Sequence, residues 1–364
     1  MKGILKLGKV AGISIEVHWT FSLLLIWVIF MELKQGGSLQ SALLNVVLIL
    51  LLFLCVVLHE LGHALTARYF HVSTKKITLL PIGGVASLEK IPEKPQQELL
   101  VAIAGPLVNI VIAFILFIFL PIQYYMSLDV ANLEALLTTP GLETLLFYLW
   151  IANIMLVVFN LIPAFPMDGG RVLRALLSMF IGRLKATEIA AGIGQAIAVL
   201  FLILGLFYNP FLVLIALFIF IGAYGENQMV KQSIQLEGHL VKEAMLTRIT
   251  TFHPENSLEE VIDAIIAGTE KDFVVIENDQ VVGILKNHDI IKNSKDTRVP
   301  VRALMKTSFQ MFDETGDLKE LLPLISSQKQ RFFPVINKDK RLVGAIDMTN
   351  LSEFLLFKAN LIAN

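Results

Sequence analysis

Apolar residues dominate the first 230 positions, in runs long enough to cross a lipid bilayer. A spanning helix needs ~20 such residues, and the pattern predicts six spans, at approximately 18–33, 41–68, 98–120, 144–162, 188–207 and 210–226. Only Asn209 and Pro210 separate the last two spans, which indicates a tight turn there. An even number of spans places both ends of this region on the same side of the membrane.

Two segments that flank the predicted helices on the inner side alternate apolar and polar positions instead of following the helical period. Residues 13–17 alternate regularly and residues 77–85 alternate in part, which is typical of strands. Extended backbone at membrane depth has to be paired or shielded by protein, so a small sheet packed against the helices is one interpretation. An ordinary loop at the membrane interface is the other, and spacing alone does not separate them.

The last 134 residues have a different pattern and contain a repeat. Residues 241–245 match 301–305, residues 273–276 match 333–336, and residues 282–285 match 343–346. A helical stretch at 258–268 or 318–328 precedes each predicted strand pair, so each copy is a mixed α/β unit, and two such units normally pack together. The predicted domains are a membrane domain at 1–230, a linker at 231–240, and repeats at 241–300 and 301–364.

Charge supports this division and sets the orientation. Residues up to 230 include 13 Lys/Arg and 12 Asp/Glu, against 17 and 19 in the shorter remainder, which indicates a membrane part and a soluble tail. With a cytoplasmic N-terminus, the inner side of the membrane receives every Lys/Arg of the membrane part except Lys34. The positive-inside rule therefore predicts a multi-pass protein of the cell membrane with both termini cytoplasmic. A net charge of −1 gives no indication of a nucleic-acid partner.

Three ionisable residues inside the second predicted span form the clearest candidate site. His59, Glu60 and His63 lie in the order His-Glu-Leu-Gly-His, and ionisable groups in lipid are costly enough to mark function by default. Residues four apart share a helical face, so both imidazoles can bind one metal ion.

A third ligand has to come from elsewhere, because a catalytic zinc takes three protein ligands and keeps one position open. Asp168 is the strongest candidate, since Pro163, Pro166 and the glycines after Asp168 break the helix there and broken backbone is expected where it lines a cavity. The alternative role is a turn or N-cap residue. Glu60 is too far round the helix to be a ligand, and we expect it to act as the general base and acid of peptide hydrolysis.

Four stretches together resemble the site-2 protease family of intramembrane zinc metalloproteases, in particular members with a C-terminal pair of CBS domains (cystathionine-beta-synthase-type repeats). The matching stretches are His59–His63, Pro81–Val85, Ala104–Asn109 and Asn160–Gly170. With the tail repeat, the resemblance covers nearly the whole chain. It implies an α-helical polytopic membrane protein with a small membrane-associated β-sheet and a cytoplasmic α/β CBS pair.

The resemblance also implies roles for individual residues. His59, His63 and Asp168 would bind one zinc ion per chain, and Glu60 would be the catalytic acid and base. Gly83 and Gly84 would lie in an edge strand that pairs with an unwound segment of a membrane-anchored protein substrate. Asn160 would bind the substrate backbone.

The resemblance to CBS pairs implies that the tail binds an adenine nucleotide or forms a homodimer. The ribose-contacting pattern of such pairs survives in the first copy only as Asp289, without the preceding hydroxyl residue, and is lost in the second copy. Nucleotide binding and ligand-free dimerisation therefore stay equal alternatives. For the whole chain, the alternative to a protease is a divalent metal transporter gated by the CBS pair.

Overall fold

The computed structural model describes residues 3–81, 83–88, 92, 94–127, 129, 141–321, 324 and 330–362. The chain divides into two compact units, Met1–Gln228 and Met229–Asn364. Among the described residues, the helices up to residue 236 are α1 Thr20–Lys34, α2 Leu39–Tyr69, α3 Pro95–Phe119, α4 Ile122–Ser127, α5 Leu142–Asn160, α6 Asp168–Ile181, α7 Arg183–Phe207 and α8 Pro210–Leu236.

Five of the described helices are long and apolar enough to cross a membrane, namely α2, α3, α5, α7 and α8. The sequence predicts six spans, and the remaining one corresponds to α1. This helix has 15 residues, which is about 22 Å at 1.5 Å per residue and short of the ~30 Å apolar core of a bilayer. Its length is limited because residues 13–18 are used for a strand and Gly36 follows closely. Helix α8, the last of these helices, extends to Leu236 and so includes residues 231–236 of the predicted linker.

A four-stranded sheet lies beside these helices. Its strands are β1 Ile4–Val10, β2 Ile13–His18, β3 Thr74–Leu80 and β4 Gly83–Leu88, in the order β1-β2-β3-β4. The β2–β3 pair is parallel and the other two pairs are antiparallel. Both predicted extended segments are thus strands and not loops, although the second one is a hairpin formed by the end of β3 and the start of β4. Strand β1 was not predicted, because a bulge between Lys6 and Gly8 interrupts its alternation.

The sheet packs on one face of α2. Val57, Leu61 and Ala64 of the helix are buried against Ile77 and Leu79 of β3. These three helical residues are interleaved with His59, Glu60 and His63, so the turns of α2 that hold the candidate site are fixed from the side of the sheet. Close packing stabilises this contact, because apolar burial itself gains little where lipid is the alternative surrounding.

Helix α3 supports α2 from another side and also packs against α5 and α6. The approach of α2 and α3 is close at Gly62, where a β-carbon would lie 2.8 Å from the carbonyl oxygen of Ala104. Small residues permit such contacts between membrane helices. Helix α3 is therefore the element that brings α2, α5 and α6 together around the candidate site.

The second unit consists of two similar copies. The first has strands β5 Thr251–Phe252, β6 Phe273–Glu277 and β7 Gln280–Leu285, and the second has β8 Phe312–Asp313, β9 Phe332–Ile336 and β10 Leu342–Asp347. In each sheet the first strand is parallel to its neighbour and the last two form a hairpin. The described helices are α9 Val241–Ala244, α10 Leu258–Ala267, α11 Asn287–Asn293, α12 Val301–Leu304 and α13 Met348–Ile362, with a 3-10 turn at Leu318–Glu320.

The two copies of the second unit pack on one another. Val274 and Ile284 of the first copy form one buried cluster with Phe332 and Ala345 of the second. The predicted helix at 258–268 corresponds to α10. Of the predicted helix at 318–328, the 3-10 turn covers the start, and residues 322–323 and 325–328 lie outside the described residues.

Candidate metal centre

Three side chains from two helices converge in the first unit. His59 and His63 lie on α2, and Asp168 is the first residue of α6. The two Nε2 atoms are 3.1 Å apart, and Oδ2 of Asp168 lies 3.1 Å from Nε2 of His63 and 3.2 Å from Nε2 of His59. All three residues are buried. Within the described residues, they are the group of His, Cys, Asp or Glu side chains that could hold a metal ion.

The hydrogen bonds of the two imidazoles determine what this cluster can bind. Nδ1 of His63 lies 2.7 Å from the carbonyl oxygen of Val101, and Nδ1 of His59 lies 2.6 Å from Oδ1 of Asn109. A carbonyl oxygen only accepts, so each Nδ1 carries the proton and donates it. Each Nε2 of a neutral imidazole is then an unprotonated atom with a lone pair.

A proline lies close to this acceptor in α3. Pro106 lies inside α3 and has no N–H to donate to the carbonyl of Ala102, so the hydrogen-bond ladder is interrupted in this turn. Prolines inside helices are common sites of kinks. The carbonyl of the adjacent Val101 accepts from His63.

The cluster fits a zinc ion. Two imidazole nitrogens and one carboxylate oxygen are common zinc ligands, and distances of ~2.0–2.1 Å in tetrahedral geometry separate neighbouring ligand atoms by roughly 3.3 Å. The three ligand atoms here are 3.1–3.2 Å apart. Three lone pairs facing each other in a buried site repel one another unless a cation lies between them.

Helix α3 also leaves space for an ion. A β-carbon at Gly105 would lie 2.7 Å from Nε2 of His59 and would come still closer to Nε2 of His63. Glycine is thus required at this position, because any side chain would enter the space between the ligands.

Local structure explains how Asp168 reaches the histidines. Helix α5 ends at Asn160, an irregular segment follows, and Gly169 and Gly170 allow α6 to start directly against that segment. A β-carbon at Gly169 would clash with the carbonyl oxygens of Leu161 and Ile162. The N-cap of α6 is Met167 and not Asp168, so the Asp168 carboxylate is available to the histidines.

Glu60 lies beside this cluster, next to the sheet. It is half-buried, and a β-carbon at Gly84 would lie 3.1 Å from its Cγ and 3.7 Å from its Oε1. Gly84 belongs to β4, which is the end strand of the sheet, and Gly83 starts that strand with φ of 137°. The structure therefore brings the glutamate and the glycine strand together.

Two other predicted residues lie apart from this cluster. Asn160 is the last residue of α5 and its side chain donates to the carbonyl of Leu156 at 2.9 Å. Asp289 lies on α11 in the second unit, with Oδ2 3.4 Å from Nζ of Lys306.

Sequence reasoning missed the residues that support the ligands. Gly105 and Asn109 lie in a stretch that carried the family resemblance, yet no role was predicted for them. A signal was present for Asn109 and also for Asn153, because both are polar residues within apolar spans, where such residues are rare and functional. Both are fully buried.

Comparisons with known proteins agree with this geometry. Residues 47–205 match the profile of peptidase family M50, and residues 241–296 and 301–356 match CBS domains. A zinc metalloprotease of Methanocaldococcus jannaschii is 35% identical over 358 residues, which is 98% of each chain. A protein of Synechocystis sp. named a putative zinc metalloprotease is 29% identical over 98% of this chain and 96% of its own.

A solved structure is also similar. The site-2 protease from Methanocaldococcus jannaschii is 42% identical and covers 62% of this chain and 95% of its own, with a TM-score of 0.44. The matched CBS segments, 241–296 and 301–356, coincide with the two copies of the repeat.

Proposed function

Because the chain belongs to peptidase family M50, the site-2 proteases, we propose that this zinc metalloendopeptidase cuts membrane-anchored proteins in or near their transmembrane segments. The observation that carries the proposal is the convergence of two unprotonated Nε2 atoms and one carboxylate oxygen at 3.1–3.2 Å, with Glu60 beside them. The expected result of such a reaction is regulated intramembrane proteolysis, which releases part of the substrate from its anchor.

His59, His63 and Asp168 would hold the zinc ion. Zinc in such a site supplies Lewis acidity, which polarises a peptide carbonyl and makes water acidic near neutral pH. The ligand residues contribute a rigid, buried frame, because each imidazole is fixed through its Nδ1 hydrogen bond.

Glu60 would move the protons of the reaction. It follows a zinc ligand directly in the chain but points towards β4. From there its carboxylate takes a proton from the attacking water and passes it to the leaving amine. Since the glutamate is no ligand, replacing it removes proton transfer and leaves the zinc site intact.

Strand β4 would hold the substrate. A peptide bond inside a helix is inaccessible, so the substrate has to unwind, and pairing with a sheet edge stabilises its extended form. Gly83 and Gly84 offer the backbone of β4 without side chains, and Gly84 contacts Glu60. Asn160, at the end of α5, would hydrogen-bond the substrate backbone after releasing the carbonyl of Leu156.

The membrane topology and the tail complete the proposal. Six spans, with α1 as the shortest, would leave both termini in the cytoplasm of a multi-pass cell-membrane protein, and the CBS pair there would regulate cleavage or form a homodimer. An adenine nucleotide would contact Asp289 only by competing with Lys306. Titration with AMP and light scattering separate a nucleotide sensor from a ligand-free dimerisation module.

Metal transport is the less favoured function. A transported ion needs ligands that release it, whereas these ligands are buried and fixed by hydrogen bonds, and relatives over nearly the whole chain are zinc metalloproteases. The transporter would also have no use for Glu60 beside Gly84.

The deciding experiment compares wild type with Glu60→Gln. Both are co-expressed with candidate single-span proteins, and fragments are identified by mass spectrometry while zinc is measured by elemental analysis. We expect Glu60→Gln to retain one zinc per chain and to lose cleavage. Glu32→Gln is the matched control, since Glu32 pairs with Asn45 away from the site. Undiminished cleavage by Glu60→Gln, or metal flux into vesicles without any cleavage, would end the proposal.

A further inference from the structure

A chain of buried amides runs from the candidate metal centre to α5. Oδ1 of Asn109 lies 2.6 Å from Nδ1 of His59, and Nδ2 of Asn109 donates to Oδ1 of Asn153 at 2.7 Å. Nδ2 of Asn153 donates in turn to the carbonyl of Leu149 at 2.8 Å and to Sγ of Cys55 at 3.5 Å. The chain joins residues of α2, α3 and α5.

The carbonyl of Leu149 fixes the donor-to-acceptor direction of this series of hydrogen bonds. The carbonyl of Leu149 can only accept, so Asn153 has to present its NH₂ group there and its oxygen to Asn109. Asn109 then has to donate to that oxygen and to present its own oxygen to His59. As a result, His59 has to carry its proton on Nδ1, and its Nε2 is free for a metal ion.

We propose that Asn109 and Asn153 are positioning residues that hold His59 in the tautomer and ring orientation required for zinc binding. The proposal rests on the proposed zinc site and extends it to two residues without an assigned role. Both asparagines are fully buried, each with 0% exposure, so they do not reach a substrate. Unsatisfied amides would be costly in such surroundings, so loss of one of these hydrogen bonds disturbs the next one.

The two histidines are thereby held in different ways. The acceptor for His63 is a backbone carbonyl of α3, which no substitution of a side chain removes. The acceptor for His59 is a side chain that depends on a second side chain. We therefore expect zinc binding to be sensitive to substitution at 109 and, more weakly, at 153.

The test measures zinc retention by the purified full-length protein in detergent. Asn109→Leu has a similar volume but offers no acceptor to His59, and loss of such a partner typically lowers metal affinity 10- to 100-fold. We expect zinc to leave Asn109→Leu at least tenfold faster than wild type when a chelator is added. Asn109→Asp keeps an oxygen acceptor for Nδ1 but loses the amide donor to Asn153, so it should lose zinc more slowly than Asn109→Leu and faster than wild type.

Asn45→Leu is the matched control. Asn45 lies on the same helix, 14 residues before His59 or about 21 Å along the axis at 1.5 Å per residue, and it donates to Glu32. This variant should lose zinc at the rate of wild type. Asn153→Leu should lie between Asn109→Leu and wild type, and it carries the test if Asn109→Leu does not yield folded protein.

The outcomes separate this inference from the function itself. Wild-type protein without stoichiometric zinc would overturn the proposed function. Wild type with zinc, together with Asn109→Leu or Asn153→Leu that hold zinc as long as wild type, would overturn only the positioning role. Zinc loss from Asn109→Asp as fast as from Asn109→Leu would also contradict it, because the hydrogen-bond acceptor would then not be the relevant property.

Discussion

A buried ion cluster beside the candidate metal centre leads to a quantitative prediction. Arg174 of α6 is completely buried, with 0% exposure, and donates through Nε and Nη2 to Oε1 of Glu98 on α3. Its Nη1 donates to Oε1 of Glu226 on α8 at 2.6 Å. The guanidinium carbon also lies 4.9 Å from the centre of the Phe165 ring. One arginine thus connects three helices.

The perturbation is Arg174→Met, which keeps much of the side-chain volume and removes the charge. Glu98 is only 3% exposed and would lose its partner without gaining water. Removing one partner of a buried ion pair typically costs 3–5 kcal/mol, because the remaining charge is left uncompensated. Against a total stability of about 5–15 kcal/mol, we expect Arg174→Met to lose a large part of the free energy of unfolding.

The assay is reversible denaturation in mixed micelles, with the free energy of unfolding compared between variants. Arg302→Met is the control, because Arg302 pairs with Glu255 and the two side chains are 53% and 63% exposed, and exposed ion pairs contribute little to stability. A third variant combines Arg174→Met with Glu98→Gln and Glu226→Gln. Since it leaves no buried charge, it should recover most of the lost stability.

Two results would refute this reasoning. One is a loss below about 1 kcal/mol for Arg174→Met, which would place the pair in the range of exposed pairs. The other is a combined variant as unstable as Arg174→Met, because the cost would then come from lost packing and not from an unpaired carboxylate.

Three further predictions concern glycines and a helix cap. Gly105→Ala should abolish zinc binding, because its methyl group would lie between the two imidazoles; elemental analysis checks this. Gly84→Ala should retain zinc but lower kcat by displacing Glu60, and Gly192→Ala, with open space around it, should match wild type in both assays. Hydrogen bonds from Ser257 lower the pKa of Glu260, which belongs to the cap of α10. The stabilisation that this carboxylate gives the folded state is therefore fully present above the ordinary Glu pKa of ~4.3. It is lost as the pH falls through the lower pKa of the folded state. The unfolding midpoint of wild type should therefore approach that of Glu260→Gln in acid, and a constant difference would contradict the role of the cap.

The local part of the site could be predicted from the sequence. His59, Glu60 and His63 are within five residues of one helix, so helical geometry alone places both imidazoles on one face. Asp168 is 105 residues from His63 and was predicted because the backbone around it is broken. Local features of the sequence thus predicted three residues that the structure brings together.

The residues that surround and support the site could not be predicted in the same way. Val101, Gly105 and Asn109 act through their position on α3 relative to α2, and no spacing within one helix encodes that relation. Arg174 illustrates the same point, since sequence reasoning counted it among the charges facing the cytoplasm. It is instead buried and paired, although the excess of positive charge on the inner side does not depend on it.

Polar residues within the apolar helices explain why this packing is unique. Leucine surfaces fit one another in several registers, and lipid is as apolar as leucine, so apolar contacts alone specify helix pairs weakly. Asn109 finds its partner on α5, and Arg174 finds its partners on α3 and α8. Another register would leave these groups unsatisfied, at a cost of several kcal/mol each in hydrocarbon. The amides bonded to His59 and the ion pairs of Arg174 therefore favour the same helix arrangement that brings His59, His63 and Asp168 together.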